Sequence, residues 1–156
     1  MNNTHECNGY AQLRKGRCSV ANQVYHVTSS TMGREPVFID LDLGREVVKA
    51  LRREHDAGHL ESLAFVVMPD HFHWLFSLGS SRSLSLAVNT AKSFATRRIN
   101  SKRGKCGRLW SPGFYDRAIR RDEDLVTVAR YIVANPLRAG LVASVRDYPL
   151  WDAKWL

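Results

Sequence analysis

Two strand-like runs lie almost end to end in this chain, and no other feature restricts the fold as much. Leu60 to Val67 and His71 to Leu78 are both apolar and aromatic-rich, and only Met68, Pro69 and Asp70 separate them. Parallel strands need a crossover of a dozen or more residues, so so short a connection makes the pair an antiparallel hairpin. Before it, Val24 to Ser30 (VYHVTSS) has the β-branched and aromatic content of a strand, and Leu43, Val47, Ala50 and Leu51 recur at helical spacing up to Gly58. After it, Leu84, Ala87, Val88, Ala91, Phe94, Ala95 and Ile99 form a stripe at helical spacing with Ser83 placed to cap it. A loop SKRGKCGR, a turn at Pro112 and Gly113, and a short strand around Tyr115 to Ile119 come next. Asp122, Glu123 and Asp124 put negative charge at the start of a third helix, with Leu125, Val128, Ala129, Ile132 and Val133 as its stripe and Pro136 just beyond it. The rest is expected to be a tail with aromatic anchors. The order strand, helix, two strands, helix, strand, helix predicts an α+β fold, an antiparallel sheet with packed helices related to the ferredoxin-like split βαβ.

Length and charge narrow the function. The chain has 156 residues, which suits one domain: a polar, basic arm over residues 1–22 and a single domain over 23–156. Lys and Arg number 23 against 15 Asp and Glu, a net charge of +8. A polyanion is the natural partner of such a chain. The longest apolar run, Leu63 to Met68, is far short of a membrane span, and no apolar leader follows Met1, so the expected location is the cytoplasm. Cys7, Cys18 and Cys106 form no C-x-x-C pair and read as free thiols.

His71 and His73 flank Phe72 on one strand, and side chains two apart on a strand share a face. Both imidazoles can therefore clamp one metal ion, though the same pattern serves a structural role equally well. Tyr131 and Asn135 are four residues apart on the third helix and so share its flank. By themselves they also fit a boundary aromatic and a helix terminator. Taken together in a basic chain, two histidines, an amide and a phenol suit phosphodiester cleavage. A phenol near pKa 10 is a poor nucleophile unless the phosphate is made more electrophilic, and Mg²⁺ or Mn²⁺ held by two imidazoles and an amide oxygen would do that.

The segments MPDHFHWLF, WSPGFYDRAIRRDEDL, ARYIVANPLRAGLV and YPLWDAKWL, in this order, resemble the single-tyrosine HUH transposases of the IS200 type, and among them the REP-associated tyrosine transposases. The resemblance runs from about Arg14 to the C-terminus and implies the HUH nuclease fold. It implies that His71 and His73 are the HUH histidines, Tyr131 the nucleophile and Asn135 the third metal ligand. It further implies a 5′-phosphotyrosine intermediate on single-stranded DNA beside a REP-type hairpin, with Arg14, Lys15 and Arg17 near a guide sequence. A bacterial, nucleoid-associated protein acting as a monomer is expected, with a dimer as the alternative.

Further phosphate contacts are expected from Arg97, Lys102, Arg103, Lys105 and Arg108 around the second helix's end, and from Arg117, Arg120 and Arg121 before the third helix. Tyr25, Tyr115 and Tyr148 are read as core or anchor residues. His26 is read as a strand residue with nothing to pair it to the H-x-H, His55 and His59 as solvated, and Asp70 as either a turn residue or a partner of a metal-binding imidazole. The rival to strand transfer is a non-catalytic DNA hairpin-binding protein; a water-using metallonuclease ranks last, for want of a carboxylate cluster.

Overall fold

The hairpin forms as its short connection requires. In the computed structural model, which describes residues 19–156, Met68 pairs with His71, Val67 with Phe72 and Leu60 with Leu78, antiparallel throughout. These two strands, β2 (Leu60–Met68) and β3 (His71–Leu78), are the inner part of a five-stranded sheet whose other members are β1 (Val24–Ser30), β4 (Tyr115–Ala118) and β5 (Trp151–Ala153). The sheet order is β4-β1-β3-β2-β5. Because β3 lies between β1 and β2, the helix joining those two, α1 (Leu41–Asp56), makes the split connection expected of a ferredoxin-like sheet.

Each strand divides its residues between two faces. Val27, Phe65, Val67, Phe72, Trp74 and Phe76 belong to one core, closed by α1 and by α2 (Leu84–Arg103). Ala64, Val66, Met68 and Leu75 belong to the other, closed by Ala129, Ile132 and Val133 of α3 (Leu125–Val133). On β1 the burial alternates strictly: Tyr25, Val27 and Ser29 are buried under the helical pair, while His26, Thr28 and Ser30 on the opposite face are only partly covered. That second face is half open because α3 is short and lies over β2.

Local signals set the helix ends. Ser83 accepts from the Leu86 amide at 3.1 Å, as its place before the apolar stripe predicts, and Asp40 and Asp124 cap α1 and α3 in the same way. Gly104 stops α2 in the left-handed region at φ 60°, where a side chain would be strained. Glu46 of α1 is fully buried and receives Lys49, Arg98 and Lys102 at 2.9, 2.9 and 3.0 Å, which ties α1 to α2. Burial works against its ionised form, but the hydrogen bonds from these three cations prevail and hold its pKa at about 2.

Two expectations need correcting. The tail is not merely anchored: Trp151, Asp152 and Ala153 pair with Val66, Phe65 and Ala64 as an edge strand, after Tyr148 has donated its hydroxyl to the Val67 carbonyl at 2.6 Å. And the third helix does not run unbroken through Asn135. It ends at Val133, Ala134 takes φ −81° and ψ 0°, and a separate four-residue turn, α4 (Asn135–Arg138), follows. Pro136, expected beyond the helix, lies inside α4 and causes the break: it has no N–H to give the Ile132 carbonyl.

Candidate active site

Asn135 repairs what Pro136 removes. Its Nδ2 donates to the carbonyl of Ile132 at 2.7 Å, which fixes the side chain and leaves Oδ1 as its free acceptor. The backbone carbonyl of Tyr131 is taken instead by Arg138 Nη1 at 2.6 Å. The same guanidinium lies over the Tyr131 ring, 3.8 Å from its centroid. Tyr131 is 63% exposed, so its hydroxyl is open to a large substrate.

On the half-open face of the sheet, His71 and His73 sit with ring centroids 5.0 Å apart, nearly perpendicular. Each has one ring nitrogen occupied. His71 Nδ1 is bonded to Asp70 Oδ1 at 2.6 Å, and Asp70 Oδ2 is bonded in turn to Arg34 Nε at 3.2 Å. Arg34 holds a left-handed backbone at φ 56°, a conformation that costs a non-glycine residue roughly 1 kcal/mol. Its bonds to Asp70 and to Ser30 Oγ at 2.6 Å keep it there. Asp70 is thus both a turn residue and a partner of an imidazole.

His73 Nδ1 lies 3.1 Å from His26 Nε2 and 3.0 Å from Thr28 Oγ1. This corrects the reading of His26 as unpaired with the H-x-H: the β1–β3 register sets Thr28 opposite His73 and brings His26 alongside. Burial first, then the neighbouring His26, His71, Arg138 and Arg34, push His73 down to a pKa of about 3. Burial and Arg117 push His26 down to about 4. Both rings are therefore neutral at pH 7. For a neutral His73 to offer a lone pair at Nε2, its proton must be on Nδ1, where His26 and Thr28 stand to accept it.

This donor set fits a divalent cation. It has one unengaged nitrogen on each of His71 and His73 and the Oδ1 of Asn135, on a turn that packs beside β2. Among the described residues, no group of three His, Cys, Asp or Glu side chains is placed to hold a metal ion.

A model of the IS200-like transposases matches residues 19–135, well over half of the chain. The chain belongs to the IS200-like transposase family. It is 32% identical over 90 residues to a REP-associated tyrosine transposase of Escherichia coli, covering 55% of this chain and 50% of that protein. A Haemophilus influenzae protein assigned to the same group is 28% identical over 99 residues, covering 57% and 56%. These alignments thus span about half the length of each relative. In fold, the chain is similar to a REP-associated tyrosine transposase solved bound to a REP hairpin, with a TM-score of 0.71 at 22% identity over 88% of this chain and 81% of that one.

The remaining cations divide by partner. Lys102 is bonded to Glu46, Arg103 to Glu35 at 2.6 Å, Arg117 to Glu123 at 2.9 Å, and Arg120 lies 3.6 Å from Asp122. Arg97, Lys105, Arg108 and Arg121 make no ion pair among the described residues. Arg97 and Arg108 line an open groove of about 530 Å³ between α2 and the loop to Trp110. Arg14, Lys15 and Arg17, like Cys7 and Cys18, lie outside the described residues; Cys106 is free and exposed. Tyr25 is buried and Tyr148 anchored, as expected, but Tyr115 is 73% exposed and is no core residue. His55 is exposed and His59 half-buried, as expected of solvated residues, and their Nδ1 atoms also meet the Ser62 amide and the Ser81 hydroxyl. No helix among the described residues is long and apolar enough to cross a membrane. Sequence reasoning missed Arg138 and Arg34. The first is seven residues from Tyr131 across a helix break, the second 36 residues from Asp70, and neither has a periodic signal.

Proposed function

We propose that this chain is a metal-dependent, single-tyrosine DNA strand transferase that cleaves single-stranded DNA beside a REP-type hairpin. The observation that carries it is the position of Arg138. Its guanidinium lies over the ring of Tyr131, 3.8 Å from the centroid, and its charge is among the lesser causes that lower the His73 pKa, which supports reading the phenol and the histidine pair as one site of one chain. The family and the hairpin-bound structural relative support the substrate class.

His71, His73 and Asn135 would hold Mg²⁺ or Mn²⁺, which supplies Lewis-acid polarisation of the phosphate and offsets charge on the leaving oxygen. Tyr131 Oη forms the bond to phosphorus as the bond from phosphorus to the 3′ oxygen breaks, leaving a 5′-phosphotyrosine and a 3′-hydroxyl. The phenol gives up a proton and the 3′ oxygen takes one up, so the step is balanced without an external reactant. One phosphodiester replaces another, so attack by a 3′-hydroxyl reverses it. The guanidinium of Arg138 lies over the ring and donates to the Tyr131 carbonyl, so it holds the ring against the end of the helix. Asp70 and the pair His26 and Thr28 hold the two imidazoles in one orientation each.

The test is a denaturing-gel assay with end-labelled single-stranded DNA carrying the palindromic repeat nearest the chain's own gene, plus Mg²⁺ or Mn²⁺. Wild type gives a covalent adduct that chelator abolishes. Tyr131→Phe gives none, yet binds the hairpin within about twofold. Adduct formation by Tyr131→Phe refutes the nucleophile, and a shifted complex with no adduct from wild type favours the non-catalytic hairpin binder.

A further inference from the structure

Large aromatic side chains on the inner strands are buried: Tyr25, Phe65, Phe72, Trp74 and Phe76 are all under 10% exposed. Tyr115, on the edge strand β4, is 73% exposed. Its position is set by register. Tyr115 is paired with Thr28, and Thr28 with His73, so the three side chains form one row across β4, β1 and β3 and project from the same face. The 3.0 Å contact between Thr28 Oγ1 and His73 Nδ1 shows that the β1 and β3 members of this row do share that face. Two strand spacings separate Tyr115 from His73, about 10 Å, and among the described residues the helix on this face, α3, packs mainly on β2 rather than on β1 or β4. In the next row, Arg117 pairs with His26 and is held by two hydrogen bonds of 2.9 Å to Glu123.

We propose that Tyr115 is a base-stacking platform that receives a nucleotide flanking the scissile phosphate, so that the DNA single strand crosses the open sheet face from β4 to the histidines. This rests on the strand-transfer reading of the site. The occupant is single-stranded nucleic acid rather than duplex because the row is one residue wide and its outermost member is a ring, which pairs with an unstacked base face. A base held in this way is stacked regardless of its identity, since every base has a π-face. The platform therefore registers the strand against Tyr131 without reading its sequence. Arg117 lies beside the ring but is engaged by Glu123, so the ring rather than the charge is the main contact offered at this edge.

The experiment uses the full chain carrying Tyr131→Phe, so that no adduct forms, and a hairpin oligonucleotide with a mixed-sequence single-stranded flank on each side. 2-Aminopurine replaces one flank base at a time. One position is expected to lose fluorescence on binding. Tyr115→Phe keeps that quench, because the ring remains. Tyr115→Ala abolishes it and weakens binding of the flanked hairpin about 5- to 100-fold, with hairpin lacking flanks bound as before. Because the side chain is at the surface, the thermal midpoint of Tyr115→Ala stays at that of the parent. A quench that survives Tyr115→Ala, loss of the quench in Tyr115→Phe, or no binding of the flanked hairpin overturns the proposal. Failure of the catalytic reading is seen separately, as absence of adduct from wild-type Tyr131 on the same oligonucleotides.

Discussion

His73 cannot orient itself. A ring on a half-open strand face rotates between two edges unless something holds Nδ1, and here His26 and Thr28 do so from the adjacent strand. Partners of metal-binding imidazoles are commonly worth 10- to 100-fold in metal affinity. Replacing His26 by Phe keeps the volume and leaves only Thr28, so Mn²⁺ affinity measured by calorimetry on DNA-free protein is expected to fall about 10-fold. Unchanged affinity would mean that Thr28 suffices and that His26 is a packing residue. The residue-scale site was legible in part. His71 and His73 announce themselves because they are two apart on one strand, and Tyr131 because it stands off the apolar stripe of its helix. His26 is invisible in the sequence because its partner is 47 residues away, and only the β1–β3 register brings them together. The expectation for Asn135 rested on an incomplete reason. Its spacing from Tyr131 assumed a continuous helix, whereas its side chain is fixed by the carbonyl that Pro136 leaves without a donor.

The elements that carry this site are held from behind by α1 and α2, and their strongest polar tie is Glu46. Its pKa of about 2 lies below the ordinary carboxylate value, so the folded chain binds fewer protons than the unfolded one as the pH falls from 4.5. The stabilisation is therefore complete above about pH 4.5 and disappears as the pH approaches 2. Its three cations are half-exposed and can regain water, so the tie is worth about 1–2 kcal/mol rather than the larger value of a sealed pair. Glu46→Gln is expected to lower the thermal midpoint at pH 7 by about 3–8 °C. The gap to wild type should close as the pH is lowered through 4 toward 2; a gap constant with pH would mean the loss is one of packing. Most elements were legible because their apolar residues repeat at a clear period, and α2 with its Ser83 cap is the plainest case. β5 was not, since three residues are too few to display alternation, and the Tyr148 bond that also holds the tail to Val67 spans 81 residues.

Across the whole molecule, net charge alone overstates the cations free to meet a polyanion. Of the cations around the end of α2, Lys102 is engaged by Glu46 and Arg103 by Glu35, while Arg97, Lys105 and Arg108 make no ion pair among the described residues. A paired cation that meets a phosphate must first give up its carboxylate, so it releases less counterion per contact than an unpaired one. On the proposed function, affinity for a repeat hairpin is expected to depend on salt mainly through the unpaired set. With a slope of about 0.7 to 0.9 per phosphate contact, converting Arg97, Lys105 and Arg108 to Gln is expected to reduce the slope of log affinity against log salt by about 2 to 3. The same change at Lys102, Arg103 and Arg117 should reduce it by less than half as much, and at Lys102 it also weakens the tie between α1 and α2. Fluorescence-anisotropy titrations of the Tyr131→Phe chain across a salt series measure both slopes directly. Equal reductions would show that the ion pairs open at no cost on binding, and that charge, rather than which charges are free, sets how this fold meets DNA.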